Sequence, residues 1–162
     1  MAQKTEEKTE LFEISQKSAP TTVCFVCTGN TCRSPMAEAI FNGIAKQKGI
    51  DARAVSAGLA ANDGAPMSAN ARTVLTEAGI EFDLNFASKN VDAPLMAKCD
   101  KVIGITARHA MELMMRFPQF AKKIYSFPCD IPDPFGGDTE VYRACMEKIR
   151  SALEEMTGET DA

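Results

Sequence analysis

Short apolar runs alternate with amphipathic stripes along this chain. Thr22-Val23-Cys24-Phe25-Val26 is a continuous run of β-branched, aromatic and Cys residues, the pattern of a parallel strand covered on both faces. Met36, Ile40 and Ile44 then recur at helical spacing, in a segment that Ser34 and Pro35 open as N-cap and first helical residue and that Gly49 closes. The alternation continues with an extended segment over 51–58 and a helix over 68–78, whose apolar face is Ala71, Val74, Leu75 and Ala78 with Gly79 past its end. A short helix near 94–98 precedes a strand over 101–105, and Thr106 caps the helix that runs on to Phe117. A last strand over 123–127 leads to a closing helix over 139–156, with Val141, Cys145, Ile149, Ala152 and Met156 at helical spacing. This order predicts an α/β fold in three layers, a four-stranded parallel sheet with helices on both faces. Right-handed crossovers then bring the loops at the carboxyl ends of the strands to one edge.

Composition narrows the picture. The chain has 162 residues, 45% hydrophobic and 25% charged, which suits one domain with a sizeable core. Residues 1–20 are polar and charge-mixed and are expected to form a flexible tail, although Leu11, Phe12 and Ile14 leave a short docked helix open; residues 21–158 are expected to form the domain. Eighteen basic against twenty-two acidic residues give a net charge of −4, which leaves no footprint for nucleic acid or an anionic membrane surface. No apolar run reaches membrane-spanning length, and the first twenty residues hold no stretch of signal-peptide length. The six cysteines are irregularly spaced. A cytoplasmic, reducing setting is therefore expected.

The chemistry is concentrated between the first strand and its helix, in Cys27-Thr28-Gly29-Asn30-Thr31-Cys32-Arg33-Ser34-Pro35. Five residues between Cys27 and Arg33 let the backbone curl so that its N–H groups converge, a shape that suits a phosphate. Arg33 can close the cup with a two-pronged hydrogen bond. Gly29 permits the positive φ that the curl demands, and Asn30 tolerates it better than most residues. A thiol facing a helix N-terminus and an arginine is stabilised as thiolate, which makes Cys27 a candidate nucleophile. By spacing alone, such a pair is as readily a buried thiol and a surface cation. Cys24-x2-Cys27 has the spacing of half a zinc site, but no second pair completes four ligands, so no metal is expected. His109, the sole histidine, has no acidic or Cys neighbours in sequence and is expected at the surface without a role.

The segment from Cys27 to Pro35 resembles the signature of the low-molecular-weight protein-tyrosine phosphatase superfamily. The resemblance implies that Cys27 becomes a phosphocysteine, that Arg33 binds phosphate and stabilises the transition state, and that the Ser34 hydroxyl holds the thiolate. Thr28, Gly29, Asn30, Thr31 and Cys32 fall to the phosphate-binding loop. Ser56-Ala57-Gly58 resembles the family's Ser-Ala-Gly, which implies that Ser56 supports Asn30. Where the family usually has His-x-Ser, this chain has Phe86-Ala87-Ser88, a departure that bears on local packing. A phosphatase also needs an acid for its leaving group. Asp133-Pro134 by itself reads as a turn device, yet Asp133-Pro134-Phe135-Gly136-Gly137 resembles the family's acid loop, just before the last helix, and implies Asp133 as that acid. The family also implies a reversible Cys27–Cys32 disulfide and so redox regulation. Cys24, Cys99, Cys129 and Cys145 are expected to be structural.

Three readings compete on this resemblance: hydrolysis of a phosphorylated protein side chain, arsenate reduction, and a dead phosphate-binding module. Related reductases use two further closely spaced cysteines, and nothing between Cys99 and Cys129 offers them. The presence of Cys27, Arg33 and Asp133 disfavours the module. Thr31 and Phe135-Gly136-Gly137 are similar to the protein-arginine phosphatase branch, where phosphotyrosine members have Ile or Leu and aromatic residues at the matching places. A guanidinium can pair with the Thr31 hydroxyl and the Asp133 carboxylate and stack on Phe135. Phosphoarginine hydrolysis is the leading reading, phosphotyrosine hydrolysis the alternative. A monomer acting on phosphorylated protein substrates without a cofactor is expected.

Overall fold

The computed structural model describes residues 19–158; the tail expected over 1–20 lies almost wholly outside them. The elements run in the order β1 (Thr21–Cys27), α1 (Arg33–Lys48), β2 (Ala52–Gly58), α2 (Ala69–Glu77), α3 (Ala93–Lys98), β3 (Lys101–Gly104), α4 (Ala107–Arg116), a 3-10 segment (Pro118–Lys123), β4 (Ile124–Ser126) and α5 (Thr139–Met156). The four strands form one sheet in the order β2-β1-β3-β4, all parallel. In register, Cys27 lies beside Gly58, Val26 beside Gly104, and Gly104 beside Ser126, so the carboxyl ends of all four strands end on one line. That line is where a doubly covered parallel sheet carries its site.

The unbroken apolar run of β1 has a use on both sides. Val23 and Phe25 pack toward α1, α2 and α5 with Met36, Phe41, Leu75 and Ile149, and the Phe25 ring meets Phe41 and Phe127 edge-on at 5.8 and 6.3 Å between centroids. Cys24 and Val26 face the other way, into a second cluster with Met96 of α3 and Ala110 and Leu113 of α4. Two buried faces fix the register of this strand, because a one-residue slip would exchange the two sets.

Two expected details differ. Helix α1 begins at Arg33 with Cys32 as its cap residue, and no side chain caps it. Ser34 is drawn away by other partners, described below, and Pro35 falls within the first turn, where its missing N–H costs no hydrogen bond. In α5 the inward residue of the first turn is Tyr142 and not Val141, which is 47% exposed. Residues three and four before Cys145 lie almost equally near its stripe, and here the first of them, Tyr142, is the buried one.

Close packing brings α4 to the sheet edge. A Cβ on Gly104 would lie 2.5 Å from the Ala110 nitrogen, so only glycine lets the helix seat directly on the end of β3. Ile105 N in turn donates to Val26 O at 2.9 Å, which ties this crossover to the end of β1.

Candidate active site

The loop after β1 turns back through Asn30, whose φ of 57° makes it the one non-glycine with a left-handed backbone among the described residues. Of the two residues able to take that conformation, it is Asn30 and not Gly29 that does. Asn30 holds the left-handed conformation because its side-chain amide and its carbonyl are all engaged. Its Nδ2 donates to Ser34 Oγ at 2.9 Å and to Ser56 Oγ at 3.0 Å. Its Oδ1 accepts from Lys89 N at 3.0 Å, and its carbonyl accepts from Ser88 Oγ at 2.6 Å. Four bonds on a fully buried side chain and its peptide offset the strain of a positive φ.

From this hub a directed chain of hydrogen bonds reaches the sulfur. Ser56 Oγ donates to Glu38 Oε1 at 2.6 Å, so its oxygen is the acceptor for Asn30. Ser34 Oγ likewise accepts from Asn30, and its proton is shared between Cys27 Sγ at 2.9 Å, when that sulfur is a thiolate, and the more distant Ala57 O at 3.4 Å. Glu38 is most affected by its burial, which raises its pKa against the opposing pull of the Ser56 bond and Lys89. Other thiols are arranged differently: burial pushes Cys145 up to about 12, and Cys24 is raised first by its hydrogen bond with Cys99 and then by burial.

Backbone closes the other side. Leu59 N and Ala60 N donate to the carbonyls of Cys27 and Thr28, each at 2.9 Å, and a Cβ on Gly58 would meet Thr28 O at 2.5 Å. The end of β2 must therefore be glycine for the loop to lie against it.

Arg33 is buried, and its Nη1 donates to Ile131 O at 3.0 Å. Its Nη2 lies 3.8 Å from Asp133 Oδ2. Asp133 is 56% exposed in its side chain, and its Oδ1 accepts from Phe135 N at 3.1 Å, the turn geometry expected of Asp-Pro. The turn thus presents the carboxylate next to the arginine, and Phe135 stands beside it 80% exposed. Asp130, the other carboxylate of this loop, accepts from Ala107 N at the start of α4.

Cys32 lines the wall, 3.2 Å from Tyr142 Oη and 3.5 Å from Ser68 Oγ, and burial, then the Cys32 contact, pushes the Tyr142 phenol up to about 12. Thr31 is half-buried with Oγ1 3.6 Å from Cys32 Sγ, and its carbonyl accepts from Ser68 N at 3.0 Å. Thr28 is exposed, and its Oγ1 lies 3.0 Å from His109 Nε2.

The structure therefore brings Cys27, Asn30, Ser34 and Ser56 into one network and sets Arg33 against Asp133. Sequence reasoning missed three members. Glu38 stands one helical turn after Ser34, a spacing that carried the signal. Ser88 is distant in sequence from Asn30 and shows itself only through the Phe86-Ala87-Ser88 match. His109, expected at the surface, is 7% exposed, and burial first, then Arg33, lowers its pKa to about 4. No group of three or more His, Cys, Asp or Glu placed to hold a metal occurs among the described residues.

A cysteine at the floor of an anion loop, at the carboxyl edge of a parallel sheet, defines a cysteine-based phosphatase fold. Residues 22–161 match the low molecular weight phosphotyrosine protein phosphatase family, and the chain belongs to it. It is 33% identical over 141 residues to the protein-arginine-phosphatase of Bacillus subtilis (strain 168), across 83% of this chain and 93% of that one. It superposes with a TM-score of 0.80 on the YwlE arginine phosphatase solved as a Cys-to-Ser mutant with a phosphorylated active site serine, at 31% identity over 85% of this chain and 93% of that one. The TM-score is also 0.80 for the low molecular weight protein tyrosine phosphatase from T. tengcongensis, at 36% identity over 84% and 97% of the two chains.

Proposed function

We propose that this enzyme hydrolyses phosphoarginine side chains of proteins through a phosphocysteine on Cys27. The observation that carries this reading is the Asp133 carboxylate, presented 3.8 Å from Arg33 with the exposed Phe135 next to it. Cys27 Sγ attacks phosphorus while the P–N bond breaks, and Asp133 gives its proton to the departing guanidine nitrogen. Water then attacks the S–P bond and returns a proton to Asp133, which releases phosphate and restores the thiolate. Arg33 and the loop amides hold the phosphoryl oxygens as charge builds on them. The phosphorylated serine of the YwlE mutant supports the covalent step, and that protein's name supports arginine over tyrosine.

The Cys27 to Asp133 machinery, the loop from Thr28 to Ser34, Ser56 and Phe135 all belong to this reading, as do a catalytic domain over 21–158, a monomer and a cytoplasmic setting. All six cysteines are free thiols, which suits that compartment and leaves Cys27 and Cys32 available for a reversible disulfide. No helix among the described residues is long and apolar enough to cross a membrane.

The test is turnover of phosphoarginine, phosphotyrosine and phosphoserine peptides side by side. A preference for phosphoarginine in kcat/KM is expected. A preference for phosphotyrosine would replace this reading with the family's other activity.

A further inference from the structure

The chain's one imidazole lies where the loop after β3 meets the loop after β1. Its Nδ1 sits 3.2 Å from Thr106 N, a backbone group that can only donate, so Nδ1 is an acceptor. Thr106 Oγ1 accepts from His109 N at 3.2 Å and stands 2.9 Å from Nδ1, where its hydroxyl shares that nitrogen's one lone pair with Thr106 N. The ring proton is therefore on Nε2, which faces Thr28 Oγ1 at 3.0 Å. Thr28 must accept there. With its oxygen engaged by the ring, its hydroxyl proton is left for an anion in the loop that begins at the preceding residue.

Thr28 is pinned from both sides. Ala60 N holds its carbonyl, and His109 holds its side chain at the exposed mouth of the site. Neither bond is needed for the capping of α4, which Thr106 and Nδ1 complete between them. Burial and the nearby Arg33 keep the ring neutral, the form in which Nδ1 can accept.

We propose that His109 is a positioning residue: through its Nε2–H it fixes Thr28 Oγ1 as an acceptor and so turns the Thr28 hydroxyl into a donor to the phosphoryl group held over Cys27. This goes beyond the function proposed above and rests on it only in taking the loop as a phosphate site.

Two substitutions separate this role from helix capping. His109→Asn retains an acceptor near the Nδ1 position but is too short to reach Thr28, whereas His109→Gln carries an amide N–H to about the Nε2 position. Inorganic phosphate affinity and kcat/KM on an aryl phosphate are measured for both, in the wild-type background and in Thr28→Val. His109→Asn is expected to weaken both readouts by about three- to tenfold, the size of one net hydrogen bond, with Gln restoring most of it. In Thr28→Val the further loss is expected to vanish, because the only route from the ring to the phosphate is gone. Nitrogen NMR of the single imidazole is expected to show a proton on Nε2 and none on Nδ1 at pH 7. An equal loss in both backgrounds, no rescue by Gln, or a proton on Nδ1 would each overturn the proposal. A protein that binds phosphate with this coupling yet hydrolyses neither phosphoarginine nor phosphotyrosine would sink the proposed function and leave the His109 role standing.

Discussion

Asn30 Nδ2 stands 3.0 Å from Ser56 Oγ, and this bond joins β2 to the left-handed turn that shapes the loop after β1. Ser56 in turn hands its proton to the buried Glu38 at 2.6 Å. Ser56→Ala leaves both an amide N–H and a carboxylate short of a partner, at a cost of ~1–3 kcal/mol. Thermal unfolding should register that loss, and phosphate affinity should fall with it. Asn30→Ala should be worse, since alanine supplies none of the bonds and resists a positive φ. If Ser56→Ala bound phosphate as tightly as wild type, the loop would not depend on this support.

Cys27 and Arg33 are expected to separate binding from turnover. Cys27→Ser should abolish hydrolysis while phosphate or vanadate still binds, because the amides of the loop remain. Arg33→Lys should cost more than about tenfold in kcat, since a point charge cannot both donate to Ile131 O and clasp two phosphoryl oxygens. Residual activity of Cys27→Ser above background would end the phosphocysteine mechanism, and a near-normal Arg33→Lys would end the transition-state role of the guanidinium.

Asp133 is distinguished by its leaving group. As acid, Asp133→Asn should slow substrates with poor leaving groups by ~10²–10⁴ and activated aryl phosphates far less. The Asx turn to Phe135 N can be made by asparagine as well, so the loop itself should persist. Equal losses on both kinds of substrate would identify a purely structural Asp-Pro turn.

The parts of this molecule that were legible in the sequence are those with a periodic signature. The run around Val23–Val26 is apolar because both faces of the sheet are covered, and Gly49 closes α1 in the left-handed conformation that its position suggested. Polar residues with two possible employments were not legible. Ser34 looks like a helix cap, but a thiol and an amide two residues outside the cap register claim its hydroxyl. Tyr142 differs from Val141 by a single step around the helix, and its phenol reaches Cys32 from 110 positions away. His109 carried a local sign, three residues after an N-cap threonine. What gives it a partner in Thr28 is the adjacency of β1 and β3, which the order of elements along the chain does not state.

The buried imidazole also sets a pH dependence of stability. Its pKa is lowered from 6.5 to about 4 in the folded protein, by burial first and Arg33 next. The unfolded chain therefore binds the extra proton first as pH falls. The contribution of the neutral ring is complete above about 6.5, declines through the interval down to about 4, and changes no further below it. Denaturant unfolding between pH 7 and 4 should show a shallower decline for His109→Gln than for wild type, since glutamine does not titrate. Carboxylates shared by both proteins cancel in that comparison. Parallel curves would mean that the ring is not held neutral in the fold.

Thr31 is expected to decide between phosphoarginine and phosphotyrosine. Its side chain is half-buried at the wall of the loop, beside Cys32, while its carbonyl is fixed by Ser68 N at 3.0 Å. Isoleucine is β-branched and similar in girth, so Thr31→Ile should keep the loop and exchange a hydroxyl for hydrocarbon. A guanidinium that has paired with the hydroxyl loses a partner, at ~1–3 kcal/mol, whereas a phenol ring gains an apolar wall. The ratio of kcat/KM for phosphoarginine over phosphotyrosine should therefore fall by at least ~10-fold, through a loss on the first and a gain on the second. If both activities moved in parallel, the selection would have to be sought in Asp133 and Phe135, and Thr31 would keep only its place in the loop.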